Sequence, residues 1–411
     1  MTGKIRLGIV GCGSFVQHFI PLFQAHPHVE WVAVTDLLKD RQTRTAERHG
    51  ISRQFDSFEA MLKSKEVNAI AIFTQRQLHG PLAIAALKAG KNVYSAVPMS
   101  IAVEDIQQIV ELVRQTRLTY SMGETGYYRP CSIFCRQKMQ SGEIGDFVYG
   151  EAQYNHDMRH FYESYRRSGG PEWKKVAGLP PTYYPTHSTA MLLSSVGSHA
   201  VRVTGFGYRD HHEDECFGVG KNLWDNPFSN TTMILQLANG GIGRLNENRR
   251  IAWYGPMSYI SGIYGTKGSY EFSLGQHSFV TLPGMAAVHE NVSPLLNPPA
   301  VEAARGEPDF MNNLANMKWN TEAPIQKMDR IPQELWPFPN GHDGTHKYMV
   351  DDFCKAAFSG KLSPTNAWVA ARYNIPGLMA FQSALHDGET LKVTDCGDAP
   401  ADWPLIDPYR D

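Results

Sequence analysis

The chain has 411 residues and nearly balanced charge, with 39 Lys and Arg against 41 Asp and Glu and a formal net charge of −2. That length exceeds one ordinary core and sets two domains as the expectation, while the charge balance and the lack of a long basic run argue against nucleic acid as a partner. No apolar stretch is long enough to span a membrane, and six scattered cysteines without a CxxC pair read as reduced and structural, as expected of a cytoplasmic protein.

The first apolar run, Ile5 to Val10, starts too early to leave room for a secretory signal. It is short and rich in branched residues, which suits a buried strand. Gly11-Cys12-Gly13 follows at once, and Ser14 to Phe23 then carries apolar residues at helical spacing. A second strand, Trp31 to Thr35, ends on Asp36. A glycine turn between strand and helix lets backbone N–H groups approach a pyrophosphate, and the helix N-terminus favours its charge. An acid closing the second strand can hold both ribose hydroxyls of NAD and would repel the extra phosphate of NADP. Gly11, Gly13, Ser14, Phe15 and Asp36 are therefore candidate NAD contacts, although Val16 stands where a third glycine is usual.

Alternating strands and helices continue to about residue 125. Val67 to Thr74 reads as a strand whose carboxyl end carries Thr74, Gln75, Arg76 and His79. Strand ends of this kind line the cofactor cleft in open α/β sheets. Pro81 to Ala89 reads as a helix stopped by Gly90, Asn92 to Ser95 as a strand running into Ala96-Val97-Pro98, and Val103 to Gln115 as a helix. Thr119 to Met122 is the last strand, ending at Gly123-Glu124-Thr125. Residues 1–125 are thus expected to form a doubly wound parallel sheet that binds NAD.

In the remainder, 126–411, Pro130 to Met139 reads as a helix stopped by Ser141-Gly142, Phe147 to Tyr154 as a strand, and 155–182 as a long loop. Thr186 to Val196 is a predicted helix with Pro185 at its first turn. Thr231 to Leu237, Gly241 to Asn246, Met257 to Tyr264, Ser269 to Ser273 and Ser278 to Leu282 are spaced like an antiparallel sheet. Residues 283–340 read as a long excursion, and His346 to Phe358 and Ala367 to Leu385 as two final helices. The run His211 to Glu215 reads as a solvated turn, and no metal site is expected.

Tyr184 and His187, at a helix start and three residues apart, can face one cleft. A helix N-terminus disfavours protonated imidazole, so His187 can act as a base. Tyr154 and His156 alternate on a strand and can point to one face. Arg159 can bind a hydroxyl, carboxylate or sulfonate, or be a solvated loop charge. Glu124 closes a strand beside the cofactor and can bond nicotinamide, ribose or substrate. Arg129, Arg159, Arg166 and Arg167 leave an anionic sugar open.

Gly11-Cys12-Gly13 with Asp36, Ser141-Gly142-Glu143-Ile144-Gly145, Tyr264-Gly265-Thr266-Lys267-Gly268-Ser269 and the His-rich start of a late helix resemble the Gfo/Idh/MocA oxidoreductase family over nearly the whole chain. The resemblance implies an N-terminal Rossmann domain. It also implies a C-terminal α+β domain with a large open-faced, mainly antiparallel sheet, which binds substrate and makes a homo-oligomer, a dimer or tetramer. The late helices are free to pack back on the Rossmann domain. Dehydrogenases of the family carry Glu-Lys-Pro where this chain has Ala96-Val97-Pro98. That change, together with Met122-Gly123-Glu124 (a Met-Glu strand end with one residue inserted), Tyr154-Asn155-His156-Asp157-Met158-Arg159, Tyr184-Pro185-Thr186-His187 and Gly341-His342-Asp343-Gly344, resembles the family's NAD-dependent glycoside hydrolases. These are typified by bacterial alpha-N-acetylgalactosaminidases (glycoside hydrolase family 109).

The resemblance implies His187, Tyr184, Glu124 and Tyr154 as catalytic groups, His156, Arg159 and His342 as substrate contacts, and Thr74, Gln75, His79, Val97 and Pro98 as further cofactor contacts. It implies cleavage of a small glycoside by transient oxidation at C3, deprotonation at C2, elimination, water addition and re-reduction. The alternatives are an NAD-dependent sugar or polyol dehydrogenase and a non-catalytic protein that binds NAD and sugar. Ala96-Val97 disfavours the dehydrogenase, and Tyr184 with His187 disfavours the silent binder.

Overall fold

The computed structural model describes residues 3–252, 258–273, 275–305, 307, 309, 321–407 and 409–411. The strand start expected at Met257, and residues 306, 308 and 310–320 of the 283–340 excursion, lie outside the described residues.

The first sheet is parallel, with strands β1 (Ile5–Val10), β2 (Val29–Thr35), β3 (Arg53–Gln54), β4 (Ala69–Ile72), β5 (Asn92–Ser95) and β6 (Tyr120–Met122) in the order β3-β2-β1-β4-β5-β6. The strands are buried on both faces, as their continuous apolar runs require: Leu7, Ile9, Ala69, Ile70 and Ala71 are all 0% exposed. The carboxyl ends of β1 and β4 meet at the centre, where the strand order reverses. The expected helix over Ser14 to Phe23 is split into a 3-10 turn at Phe15–His18 and an α-helix at Ile20–Ala25. Pro21 has no N–H to give the carbonyl four residues back, so the regular ladder starts only there.

The second sheet has nine strands: β7 (Phe147–Asn155), β8 (Ala200–Arg209), β9 (Phe228–Leu237), β10 (Ile242–Asn248), β11 (Tyr259–Gly265), β12 (Gly268–Ser273), β13 (Gln276–Thr281), β14 (Val288–Asn291) and β15 (Leu391–Lys392). Their order is β14-β13-β12-β11-β7-β10-β9-β8-β15. The sheet is mixed rather than wholly antiparallel, because β7 and β10 run parallel at its middle. β8 has no counterpart in the sequence reading. Gly205 and Gly207 weaken its strand signal, and they are there because a Cβ would strike Ala380 O at 2.4 Å and the Phe228 ring at 2.2 Å.

The expected loop at 155–182 instead holds helices at Tyr162–Gly169 and Trp173–Ala177, anchored where Trp173 packs with Cys216 and Phe217. The excursion after residue 282 likewise contains β14 and short helices at Ser293–Leu296 and Pro299–Ala304. The helix His346–Ser359 packs on the Rossmann core, with Phe353 against Phe23 and Tyr94. The helix Ala367–Leu385 lies on β8.

The helix Thr186–Val196 lies on the inner face of the second sheet. Gly150 and Gly243 are paired across β7 and β10, and a Cβ on either would lie 2.6 or 2.4 Å from a Leu192 methyl. Two glycines in register thus let the helix settle close to the sheet and fix where its first residues emerge. The opposite face is open: Phe206, Tyr208, Ile234 and Ile242 are 60, 55, 44 and 48% exposed. Exposed apolar patches on a sheet commonly mark an interface, so copies of the chain are expected to associate through this face. Light scattering at micromolar protein should report a dimer or tetramer, reduced in mass by Ile234→Lys with Ile242→Glu. A monomeric parent chain contradicts this.

Candidate active site

The glycine turn after β1 is held from below. Gly11 has φ +95°, and a Cβ there would lie 2.6 Å from Phe73 O, so only glycine lets β1 turn against the end of β4. Cys12 N–H donates to Asp36 Oδ2 at 2.7 Å and Leu38 N–H to Oδ1 at 2.8 Å, which pins the carboxylate beside the turn. A Cβ on Gly13 would meet nothing within 4 Å, so open space lies above it. Phe15 is partly exposed next to this space. A fixed acceptor beside an open glycine turn fits a dinucleotide, with Asp36 toward ribose hydroxyls and the turn toward a pyrophosphate. Ser14 opens the 3-10 turn. Thr74 and Gln75 are half-buried at the end of β4. His79 differs: it is 1% exposed, and its ring lies between Pro98 O at 2.8 Å and Thr74 O at 3.1 Å. It therefore ties β4 to the buried Val97–Pro98 segment rather than facing the cleft, and burial lowers its pKa.

Across the cleft, the sequence-predicted catalytic groups converge. Glu124 comes from the end of β6 and His187 from the first turn of Thr186–Val196. They meet with His187 Nδ1 2.8 Å from Glu124 Oε1. Glu124 is fully buried, and its Oε1 also accepts Gly126 N–H at 2.6 Å. Burial pushes its carboxyl up, but the facing imidazole and these donors outweigh that and hold it below the usual carboxylate range. An ionised Glu124 makes Nδ1 the donor and leaves Nε2 to accept from the Tyr184 hydroxyl, 3.2 Å away. Burial pushes the Tyr184 phenol up against the opposing effect of Arg76. Tyr184 is thus protonated near neutrality, and its proton has one built exit, His187.

Tyr154 stands on the other side of His187, ring centroids 5.1 Å apart, with its hydroxyl 2.7 Å from His156 Nδ1. Tyr259 stacks on Tyr154 at 4.8 Å and meets His187 edge-on at 5.5 Å. Three tyrosines thereby wall the imidazole. His342 lies toward the glycine turn: its Nδ1 is 2.7 Å from His346 Nε2, and its ring is 5.6 Å from that of Phe15. Burial lowers His342 well below its ordinary value and His346 to about 3, so both rings are neutral. Arg159 is not gathered into the cluster. Its side chain is 57% exposed and forks onto Asp157, two residues away. Arg166 and Arg167 pair with Glu163 at the surface. Arg129 pairs with Asp343 and lies 3.5 Å from the Tyr259 ring.

A second buried layer was not read from the sequence. Glu247 at the end of β10 accepts from Ser188 Oγ and from Arg249 Nη2 at 2.6 Å. Arg249 also donates to Tyr184 O and Tyr154 O, and its guanidinium is 4.4 Å from the Tyr154 ring. Burial pushes Glu247 up to about 7. The usable signal was the alternation of β10: extending the predicted strand past Asn246 puts Glu247 on the same inward face as Leu245. Among the described residues, no group of three or more His, Cys, Asp or Glu could hold a metal ion, and within the His211–Glu215 run Asp214 and Glu215 pair with Arg250 and Lys174.

Residues 5–124 match the oxidoreductase family with NAD-binding Rossmann fold (GFO_IDH_MocA). A glycosyl hydrolase family 109 protein of Streptomyces filamentosus is 25% identical over 65% of this chain and 58% of its own length. Another of that name, from Saccharopolyspora erythraea, is 25% identical over 97% of this chain and 83% of its own. Levoglucosan dehydrogenase in complex with NADH and L-sorbose has the same fold, with TM-score 0.70, 16% identity, and coverage of 96% of this chain and 100% of that one. The chain is an NAD-dependent enzyme whose N-terminal residues match the model of the Gfo/Idh/MocA oxidoreductase family with its NAD-binding Rossmann fold, and it is similar along nearly its whole length to a glycosyl hydrolase family 109 protein.

Proposed function

We propose that this enzyme is an NAD-dependent glycoside hydrolase that works by proton removal at C2 of a sugar transiently oxidised at C3. The observation that carries the proposal is the hydrogen-bonded line Glu124–His187–Tyr184, set in a cleft whose neighbouring segment, Ala96–Val97, is apolar and 8 and 7% exposed. Relatives named glycosyl hydrolase family 109 and structural neighbours that are sugar dehydrogenases support a carbohydrate substrate. Asp36 and the glycine turn would hold NAD, which when bound supplies a reversible hydride acceptor for a sugar carbon. With the C3 hydride passed to that acceptor and the C3 hydroxyl proton released to solvent, the ketone formed at C3 acidifies the hydrogen on C2.

The chain's own groups then handle protons. Tyr184 takes the C2 proton as its phenol proton passes to His187 Nε2, and Glu124 steadies the imidazolium that forms. Elimination expels the C1 substituent, and Tyr154, backed by His156, can protonate the departing oxygen. Water addition reverses the same transfers. An ordinary glycosidase needs two carboxylates across the scissile bond, yet Glu124 and Glu247 are each 0% exposed and committed to His187, Ser188 and Arg249.

Incubation with a panel of aryl glycosides, with and without NAD, tests this. Phenol release should require NAD without NADH accumulating, whereas stoichiometric NADH from a free sugar would favour the dehydrogenase. His187→Ala and Tyr184→Phe should each lower turnover by about two to four orders of magnitude while NAD affinity is kept, since neither lies at the glycine turn. Full activity in both variants contradicts the assignment. Asp36 should make NAD bind on the order of tenfold or more tightly than NADP, because placing like charges together costs at least about 1.4 kcal/mol. Equal affinities by titration would remove that role from Asp36.

A further inference from the structure

Among the described residues, Arg76 is a cation in the cleft without a carboxylate at ion-pair distance. Arg76 follows β4, and its guanidinium lies 4.5 Å from the Tyr184 ring and 5.9 Å from the Tyr165 ring. Its Nη1 donates to Tyr165 Oη at 2.7 Å, and among the described residues no carboxylate lies within ion-pair distance of it. The three buried arginines all behave otherwise: Arg129 pairs with Asp343, Arg249 with Glu247, and Arg250 with Asp210 and Asp214. A half-buried guanidinium with one of its five N–H donors engaged is an electrostatic vacancy for an anion.

The space beside it has a matching lining. A cavity of about 20 Å³ is bounded by Arg76, Tyr162, Tyr165, Tyr184, Met158 and Phe217, and no carboxylate lines it. Arg249 forms part of the wall, but its Nη2 is already engaged by Glu247 at 2.6 Å. One water needs about 10–15 Å³, so the cavity has room for a small polar substituent. Tyr165 accepts from Arg76 and keeps its own hydroxyl hydrogen to donate. Tyr184 contributes to both the cavity wall and the His187 bond, so a substituent seated here belongs to a ring lying at the proton-transfer groups.

We propose that this cavity is a subsite for an anionic substituent of the glycoside, a carboxylate or a sulfate, with Arg76 as its ion-pair partner. The proposal rests on the carbohydrate reading and narrows it to acidic sugars. It also moves anion recognition away from Arg129, Arg159, Arg166 and Arg167, each of which already has a carboxylate partner.

The test is calorimetric binding to the NAD-loaded chain of a methyl hexuronide, a methyl hexoside 6-sulfate and the matched neutral methyl hexoside. At least one anion should bind about tenfold or more tightly than the neutral sugar, and which one does so identifies the substituent. Arg76→Gln should bring the set to parity, and Arg76→Lys should keep part of the preference. Raised salt should weaken the anion in the parent chain, a readout that needs no variant to fold. Equal affinities, no binding by either anion, or a preference that survives Arg76→Gln overturns the proposal. So does a loss of NAD affinity in Arg76→Gln with sugar selectivity unchanged, which would assign the guanidinium to the cofactor. Anion preference without phenol release from the matching aryl glycosides would keep the subsite and remove the hydrolase reading. Release without preference would do the reverse.

Discussion

The hydrogen bond between Glu124 and His187 is the constraint on which the site depends. Its partners come from different domains, Glu124 from the last Rossmann strand and His187 from a helix seated on the second sheet, 63 residues later. A carboxylate removed from water is stable only when its charge is met, and leaving such a group unpaired costs about 3–5 kcal/mol. The pair therefore locks the domains at the cleft and fixes the imidazole tautomer in one contact. With Nδ1 committed as a donor, Nε2 can only accept, and Tyr184 is the hydroxyl within reach.

The surrounding packing serves that geometry. Leu192 settles against Gly150 and Gly243, which sets the height of the helix above the sheet. Ser188, next to His187, is held by Glu247 from below, and Arg249 ties Glu247 to the backbones of Tyr154 and Tyr184. The two phenols and the imidazole are thus positioned by a buried, hydrogen-bonded polar layer. Such a layer is costly if half-satisfied and rigid when complete.

Much of this was legible in the sequence where the signal is local. The strand, glycine turn and closing Asp36 fall in one window of residues, and Pro185 marks the helix that presents His187. The late Gly341–Gly344 turn stood out by its residues, and the structure places His342 there at φ +50° and ties Asp343 to Arg129. What stayed hidden depends on partners distant in sequence. β8 is hidden because Ala380 and Phe228 demand the glycines at 205 and 207, which weaken its strand signal. The helices within 155–182 form because Trp173 finds Cys216 and Phe217. Arg76 and Arg159 look alike as sequence, but Arg159 has Asp157 two residues away, and among the described residues Arg76 has no carboxylate within ion-pair distance. Charge vacancy is a property of the folded surroundings, which residue type and spacing do not carry.

In the proposed reaction Tyr184 and His187 move the C2 proton of a substrate whose C3 is oxidised for part of each turnover. Hydrolysis in deuterium oxide of an aryl glycoside carrying tritium at C3 tests it in one experiment. Deuterium is expected at C2 of the released sugar, with tritium retained at C3 and no C2 exchange in the Tyr184→Phe variant. Release of the sugar with its C2 hydrogen unexchanged would contradict it.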